Sequence, residues 1–183
     1  MASTEIVSAR QAAQAVEAEA AERDLTPAEI AELRPFAQII YGLRKVAVVD
    51  EDAAFEIAAA VIDEIALADS IEAVFAANEK GPKDAEDYLE ASLGVFNVKF
   101  WRSAEKFRKG TLGYYVVLDY VNFDGEADMI SVGASNVVAS LFRFMQLGAI
   151  TGDKTNPFWV KIHGRETPNG TLYTVQQGDH PPF

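Results

Sequence analysis

The chain of 183 residues has no cysteine, two histidines and three methionines. Its longest apolar run is the six residues from Ile57 to Ile62. Without cysteine there are no disulfides, no thiolate metal centres and no cysteine nucleophile. His163 and His180 lie apart, without metal-ligand spacing. An apolar run of that length is far short of the roughly 20 residues a membrane-spanning helix needs. The opening, Met1 to Arg10, has neither a basic start nor an apolar stretch of the kind that directs secretion. The expectation is a soluble protein of a cytoplasm.

Catalytic signatures are missing as well: the sequence has no G-x-S-x-G, no H-E-x-x-H and no G-x-G-x-x-G. The nearest phosphate-loop lookalike, Gly148 to Thr155 ("GAITGDKT"), has Asp153 between Gly152 and Lys154, and it leaves a helix where such a loop should leave a strand. No cofactor, no metal and no enzymatic activity are expected.

What is present is an uneven distribution of charge. The formal net charge is −12. Residues 1–90 hold 7 Lys and Arg against 20 Asp and Glu, net −13, whereas residues 91–183 hold 9 against 8, net +1. An acidic chain ordinarily argues against a nucleic-acid partner, but here the acidity belongs to one half.

That half reads as helix. Thr26-Pro27-Ala28-Glu29 is a helix start, with Thr26 and Glu29 spaced for a capping box and Pro27 suited to the first turn. Phe55, Ala58, Ile62 and Ile65 recur at helical spacing. Asp69-Ser70 and Gly81-Pro82 interrupt the pattern, which restarts from Lys83 to Leu93. Ser3 to Glu22 is alanine-rich with little to bury, and reads as an exposed arm.

The second half changes period. Val95 to Arg102 alternates, placing Phe96, Val98 and Phe100 on one face and Asn97, Lys99 and Trp101 on the other. Leu112 to Val121 is a β run that leads into an Asp124-Gly125 turn and a short strand around Met129 to Val132. Gly133 to Asn136 then opens a helix that stops at Gly148. Phe158 to His163 alternates again, with Trp159, Lys161 and His163 opposite Phe158, Val160 and Ile162; Asn169-Gly170 turns into a last strand, Thr171 to Val175.

The element order predicts an α+β fold: an acidic helical region over 1–90, then over 91–177 a five-stranded OB-fold-like β-barrel with one helix between strands 3 and 4, then a short tail over 178–183. The strand 1–2 and 4–5 loops of such a barrel bind oligonucleotides. Here they are the basic stretch Ser103 to Gly110 and Arg165 to Gly170.

Lys99, Arg102, Lys106, Arg108 and Lys109 fall within eleven residues, interleaved with Phe100, Trp101 and Phe107. Single-stranded nucleic acid needs cations for phosphates and exposed rings for unstacked bases. Lys99, Arg102, Lys106, Arg108, Lys109 and Lys161 are the candidate phosphate contacts, and Trp101, Phe107 and Trp159 the candidate stacking rings. The competing reading puts both tryptophans in the core, since Trp is highly buried on average. Of Tyr114, Tyr115 and Tyr120, one of each alternating pair is available to face the groove.

The chain ends Asp179-His180-Pro181-Pro182-Phe183. With its element order, this ending resembles single-stranded DNA-binding proteins, whose bacterial members carry an OB-fold and a tail of acidic residues followed by Ile-Pro-Phe. It departs from them in having a single tail Asp and an acidic helical region ahead of the barrel. Gly-Tyr-Tyr-Val-Val and Val-Gly-Ala-Ser-Asn-Val-Val also resemble segments of small bacteriophage replication-region proteins. The resemblance implies a non-enzymatic, phage-encoded binder of single-stranded DNA acting in replication, recombination or repair in a bacterial host cytoplasm. It also implies a tail, Asp179, Pro181, Pro182 and Phe183, that docks host or phage replication proteins, and it leaves homo-oligomerisation open. The alternative is a structural or protein-interaction module, such as a phage assembly or host-takeover factor, whose helical half binds a protein partner.

Overall fold

The structure, a computed structural model, describes residues 7–49, 66–67, 69–73, 83–103, 111–168 and 170–181. The stripe from Phe55 to Ile65, the basic residues Lys106, Arg108 and Lys109, the ring of Phe107, and Pro182 and Phe183 therefore lie outside the described residues.

Three helices come first: α1 (Ala9–Arg23), α2 (Pro27–Leu33) and α3 (Ala37–Val46), with a 3-10 turn at Arg34–Phe36. The starts of α1 and α2 are set by reciprocal capping boxes, Ser8 with Gln11 and Thr26 with Glu29, each cap contributing about 1 kcal/mol. Strands β1 (Val48–Val49), β2 (Lys83–Asp84), β3 (Ser92–Arg102), β4 (Thr111–Val121) and β5 (Ala127–Ala134) precede helix α4 (Ser135–Gln146), and β6 (Phe158–Thr167) and β7 (Gly170–Gln177) follow it. The restart expected from Lys83 to Leu93 is a 3-10 turn at Ala85–Tyr88 that runs into β3.

The expected barrel is not closed. The strands form one open sheet in the order β2-β5-β4-β3-β6-β7, with β1 beside the end of β3. The five long strands pair antiparallel, while β1 and β2 are two-residue parallel additions. Closure would need β5 to meet β7. Instead β2 pairs with β5 at Ile130 and Ser131, and α4 packs against β4, β5 and β7. A cleft of about 810 Å³ remains, lined by Phe36, Leu112, Ala134, Leu172 and Tyr173 among others.

A bulge at Phe96 governs the faces of β3, because the register on β4 shifts between Val95 and Asn97. Before it, Leu93 and Val95 are buried; after it, Phe100 is buried and Val98 packs on the same cluster. The core face has thus moved from odd to even positions.

One hydrophobic cluster joins the helices to the sheet. It contains Val16, Leu33, Ile40 and Leu43 together with Leu93, Phe100, Val116, Leu118, Ile130, Val160 and the α4 residues Val137, Val138, Leu141 and Phe142. The boundary expected at residue 90 therefore does not coincide with a break in the core. The exposed-arm expectation for Ser3 to Glu22, of which residues 3–6 lie outside the described residues, is corrected over the rest, because α1 buries Ala12, Ala15, Val16 and Glu19. Small side chains let α1 lie close against its neighbours, so alanine here marks packing. No described helix is long and apolar enough to cross a membrane.

Candidate nucleic-acid interface

The face of β3, β4 and β5 turned away from the core is ordered by cross-strand register. Asn97 stands opposite Asp119, and Asp119 opposite Met129; Lys99 stands opposite Val117, and Val117 opposite Ser131; Trp101 stands opposite Tyr115. Asn97 Nδ2 donates to Asp119 Oδ2 at 2.7 Å. Lys99 Nζ lies 4.4 Å from the centre of the Trp101 ring. Tyr115 lies nearly parallel to that ring, at 17° and 6.5 Å between centroids. Tyr114 and Tyr120 are buried on the core face, which leaves Tyr115, half-buried, as the outward tyrosine.

The exposure expected of Trp101 is not found. The ring is 3% exposed. It is stacked by Tyr115, approached by the Lys99 ammonium and flanked by β1, whose Val48 pairs with it. Its Nε1 is buried and finds no hydrogen-bond partner among the described residues. Trp159 is corrected in the same way at 7% exposed. Phe123 covers it at 5.3 Å and His180 at 6.3 Å between ring centroids, and its edge lies against Gly94, where a Cβ would stand 3.0 Å from Cζ2.

Two expected phosphate contacts are held by carboxylates. Lys161 pairs with Asp179 at 3.3 Å. Asp179 is anchored in turn by its backbone N–H donating to Ser92 Oγ at 2.9 Å, and Gly178 N–H donates to the carbonyl of Trp159 at 3.1 Å. The tail is therefore not free up to His180: it lies back along β3 and β6. Nearby, His163 Nδ1 and Glu90 Oε1 are 2.5 Å apart.

Arg102 is the second, and it leads to a cluster that sequence reasoning missed. Glu19, on α1, is the one charged residue fully buried among those described, at 0% exposed. Its carboxylate accepts from Arg23 Nε at 2.7 Å, from Arg44 Nη1 at 2.6 Å, from Arg102 Nε at 3.2 Å and from the Tyr114 hydroxyl. Glu22 pairs with Arg44 at 2.7 Å and also with Arg102. Burial pushes the Glu19 carboxyl up, but hydrogen bonds from Tyr114, Arg23 and Arg102 outweigh it and hold the group below the usual carboxylate range. The hydrogen bond from Arg44 lowers Glu22. Burial and the Glu19 carboxylate push the Tyr114 phenol up. The one sequence signal was Glu19 and Arg23 at i,i+4 spacing.

The cluster sits at the base of the β3–β4 connection. Arg102 ends β3, Tyr114 stands opposite it on β4, and the Gly113 carbonyl accepts both from Ser103 N–H at 3.1 Å and from Arg23 Nη2 at 2.7 Å. Gly113 has φ +71°, the left-handed region that favours glycine.

Compared with known proteins, the chain matches no family model, no curated protein and no solved structure. Among the described residues, no group of three His, Asp or Glu is arranged to hold a metal ion.

Proposed function

We propose that the chain is a non-enzymatic binder of single-stranded DNA that runs the strand over the outward face of β3, β4 and β5. The observation that carries this reading is the Lys99–Trp101–Tyr115 group, a cation over paired rings on a sheet face. That face leads to the connection bearing Lys106, Phe107, Arg108 and Lys109. The strand neighbours also fit. Numbered among the long strands they run third, second, first, fourth, fifth, with α4 between third and fourth, as in an OB-type barrel open at one seam.

In this reading Lys99 and the loop cations take phosphates, and Tyr115 takes over the stacking role expected of Trp101, which supports it from beneath. A role in bacteriophage replication, recombination or repair, with Pro181, Pro182 and Phe183 as a partner-docking end, belongs to the same proposal.

The test is fluorescence anisotropy of labelled oligo-dT at low salt, with duplex DNA as control. If Lys99, Lys106, Arg108 and Lys109 contact phosphate, the slope of log affinity against log salt is about −3. A slope near zero refutes the electrostatic mechanism. Absence of binding favours the second reading, a protein-interaction module, for which the cleft between β5 and β7 speaks, since the helical residues Glu32 and Phe36 contribute to its walls.

A further inference from the structure

The Glu19 cluster contacts both strands that lead into the basic connection. Glu19 itself takes Arg102 from the end of β3 and Tyr114 from the start of β4. Arg23, held by Glu19, donates to Gly113, and Arg44 brings α3 to the same carboxylate. Four side chains from α1, α3, β3 and β4 thus meet at one buried acid, with Glu22 bracing Arg44 and Arg102 from the rim. Arg102 reaches both carboxylate oxygens and the Tyr114 hydroxyl shares Oε1 with it, so one carboxylate ties the two strand ends together, and charge-assisted bonds are directional.

We infer that Glu19 is a positioning residue: it clamps the stem of the β3–β4 connection, Arg102–Ser103 on one side and Gly113–Tyr114 on the other, and so fixes the two ends between which the sequence carries Lys106, Arg108 and Lys109. This rests on the proposed single-strand binding for its purpose, but not for its test. The acidic helical region then serves the basic surface directly, through one internal carboxylate. Arg102 contributes to binding by anchoring the stem, with its guanidinium held by Glu19 and Glu22.

The experiment uses the full chain with Glu19→Gln, which keeps the shape and removes the charge. Three readouts are taken: thermal unfolding, limited trypsin cleavage mapped by mass spectrometry, and oligo-dT affinity against salt. Losing the charge assistance of these bonds frees the stem locally. Cleavage at Lys106, Arg108 and Lys109 is expected to rise about tenfold relative to cleavage at Arg143 and Lys154, with the far-ultraviolet spectrum unchanged. Oligo-dT affinity is expected to fall several-fold, and Glu19→Asp should recover less than half of the loss because its shorter side chain sets the carboxylate back from both strand ends.

If Glu19→Gln does not fold, Tyr114→Phe, which removes one hydroxyl, is read in its place and should raise loop cleavage about threefold. Unchanged loop cleavage in a folded variant overturns the clamp, and so does a rise that is equal at all sites, which marks global loosening. If the wild-type chain fails to bind oligo-dT while loop cleavage still rises selectively, the clamp stands and the single-strand reading falls.

Discussion

Replacing Trp101 separates its structural weight from its chemistry. Truncating a buried Trp to Ala ordinarily costs about 3–5 kcal/mol. Here the loss includes the stack on Tyr115 and the Lys99 ammonium over the ring, together worth about 1–2 kcal/mol. One contribution runs the other way. The buried Nε1 has no partner among the described residues, and a buried unpaired donor costs about 1–3 kcal/mol. Trp101→Ala is therefore expected to destabilise by about 2–4 kcal/mol. At about 2–4 °C per kcal/mol for a chain of this size, the midpoint falls by about 5–15 °C.

Trp101→Phe keeps a ring against Tyr115 and Lys99, loses part of the indole volume and removes the unpaired donor, so its two effects nearly cancel. Its midpoint should lie within about 3 °C of wild type. Differential scanning calorimetry on both variants, with the wild type, decides. A Trp101→Phe variant that falls as far as Trp101→Ala refutes the reasoning, since it means that the indole N–H supplies stabilising bonds. Oligo-dT affinity of Trp101→Phe should stay within about threefold of wild type, because the stacking surface above it is preserved.

Three other outcomes follow from the packing and the charge cluster. Glu19 and Glu22 have lowered folded values, so their stabilisation is present above the ordinary carboxylate range and is lost as pH falls through those values; the thermal midpoint should drop below about pH 4, less steeply in Glu19→Gln, and an equal acid slope in the two proteins counts against the cluster. A Cβ on Gly42 would stand 2.4 Å from Cζ of Phe142, a clash with a ring itself buried edge-on to Phe100; Gly42→Ala gains up to about 1 kcal/mol of helix propensity and loses about 1–3 to overpacking, so calorimetry should show net destabilisation, relieved in part by Phe142→Leu. Removing residues 1–90 strips Val16, Leu33, Ile40 and Leu43 from the shared core, so residues 91–183 alone should give poorly dispersed amide NMR spectra, and a well-dispersed spectrum refutes the single-core reading.

The long strands and α4 were legible because their signals are local. The even-numbered core face of β4, the Asp124-Gly125 turn, where Gly125 takes φ +80°, and the Thr26 capping box are each written within a few residues. The open edge was not legible, since β2 contributes two residues and no periodicity marks them. The tryptophans were read onto the outward face, and Trp101 does share that side with Lys99. Its burial depends on Tyr115 and β1, and that of Trp159 on Phe123 and the tail, all contributed from elsewhere in the chain. Arg102 reads as a phosphate ligand beside other cations; only folding brings it to an acid 83 residues earlier.

The bulge at Phe96 has a consequence for how the chain tolerates change. On either side of it, β3 is two half-strands running out of phase, one married to β6 through Leu93 and Val95, the other to β1 through Trp101 and Arg102. A single-codon deletion of Phe96 would take out the extra residue and leave a regular strand with both faces as they are, Lys99 outward and Phe100 inward. Straightening the strand with Phe96 kept, while the β6 half is held in place, would instead exchange inside for outside along the whole second half, driving Lys99 toward the core and Phe100 toward solvent. One unpaired residue thus acts as a reading-frame marker for the surface: point changes around it adjust individual contacts, while drawing it into the ladder would exchange the two faces of the strand beyond it.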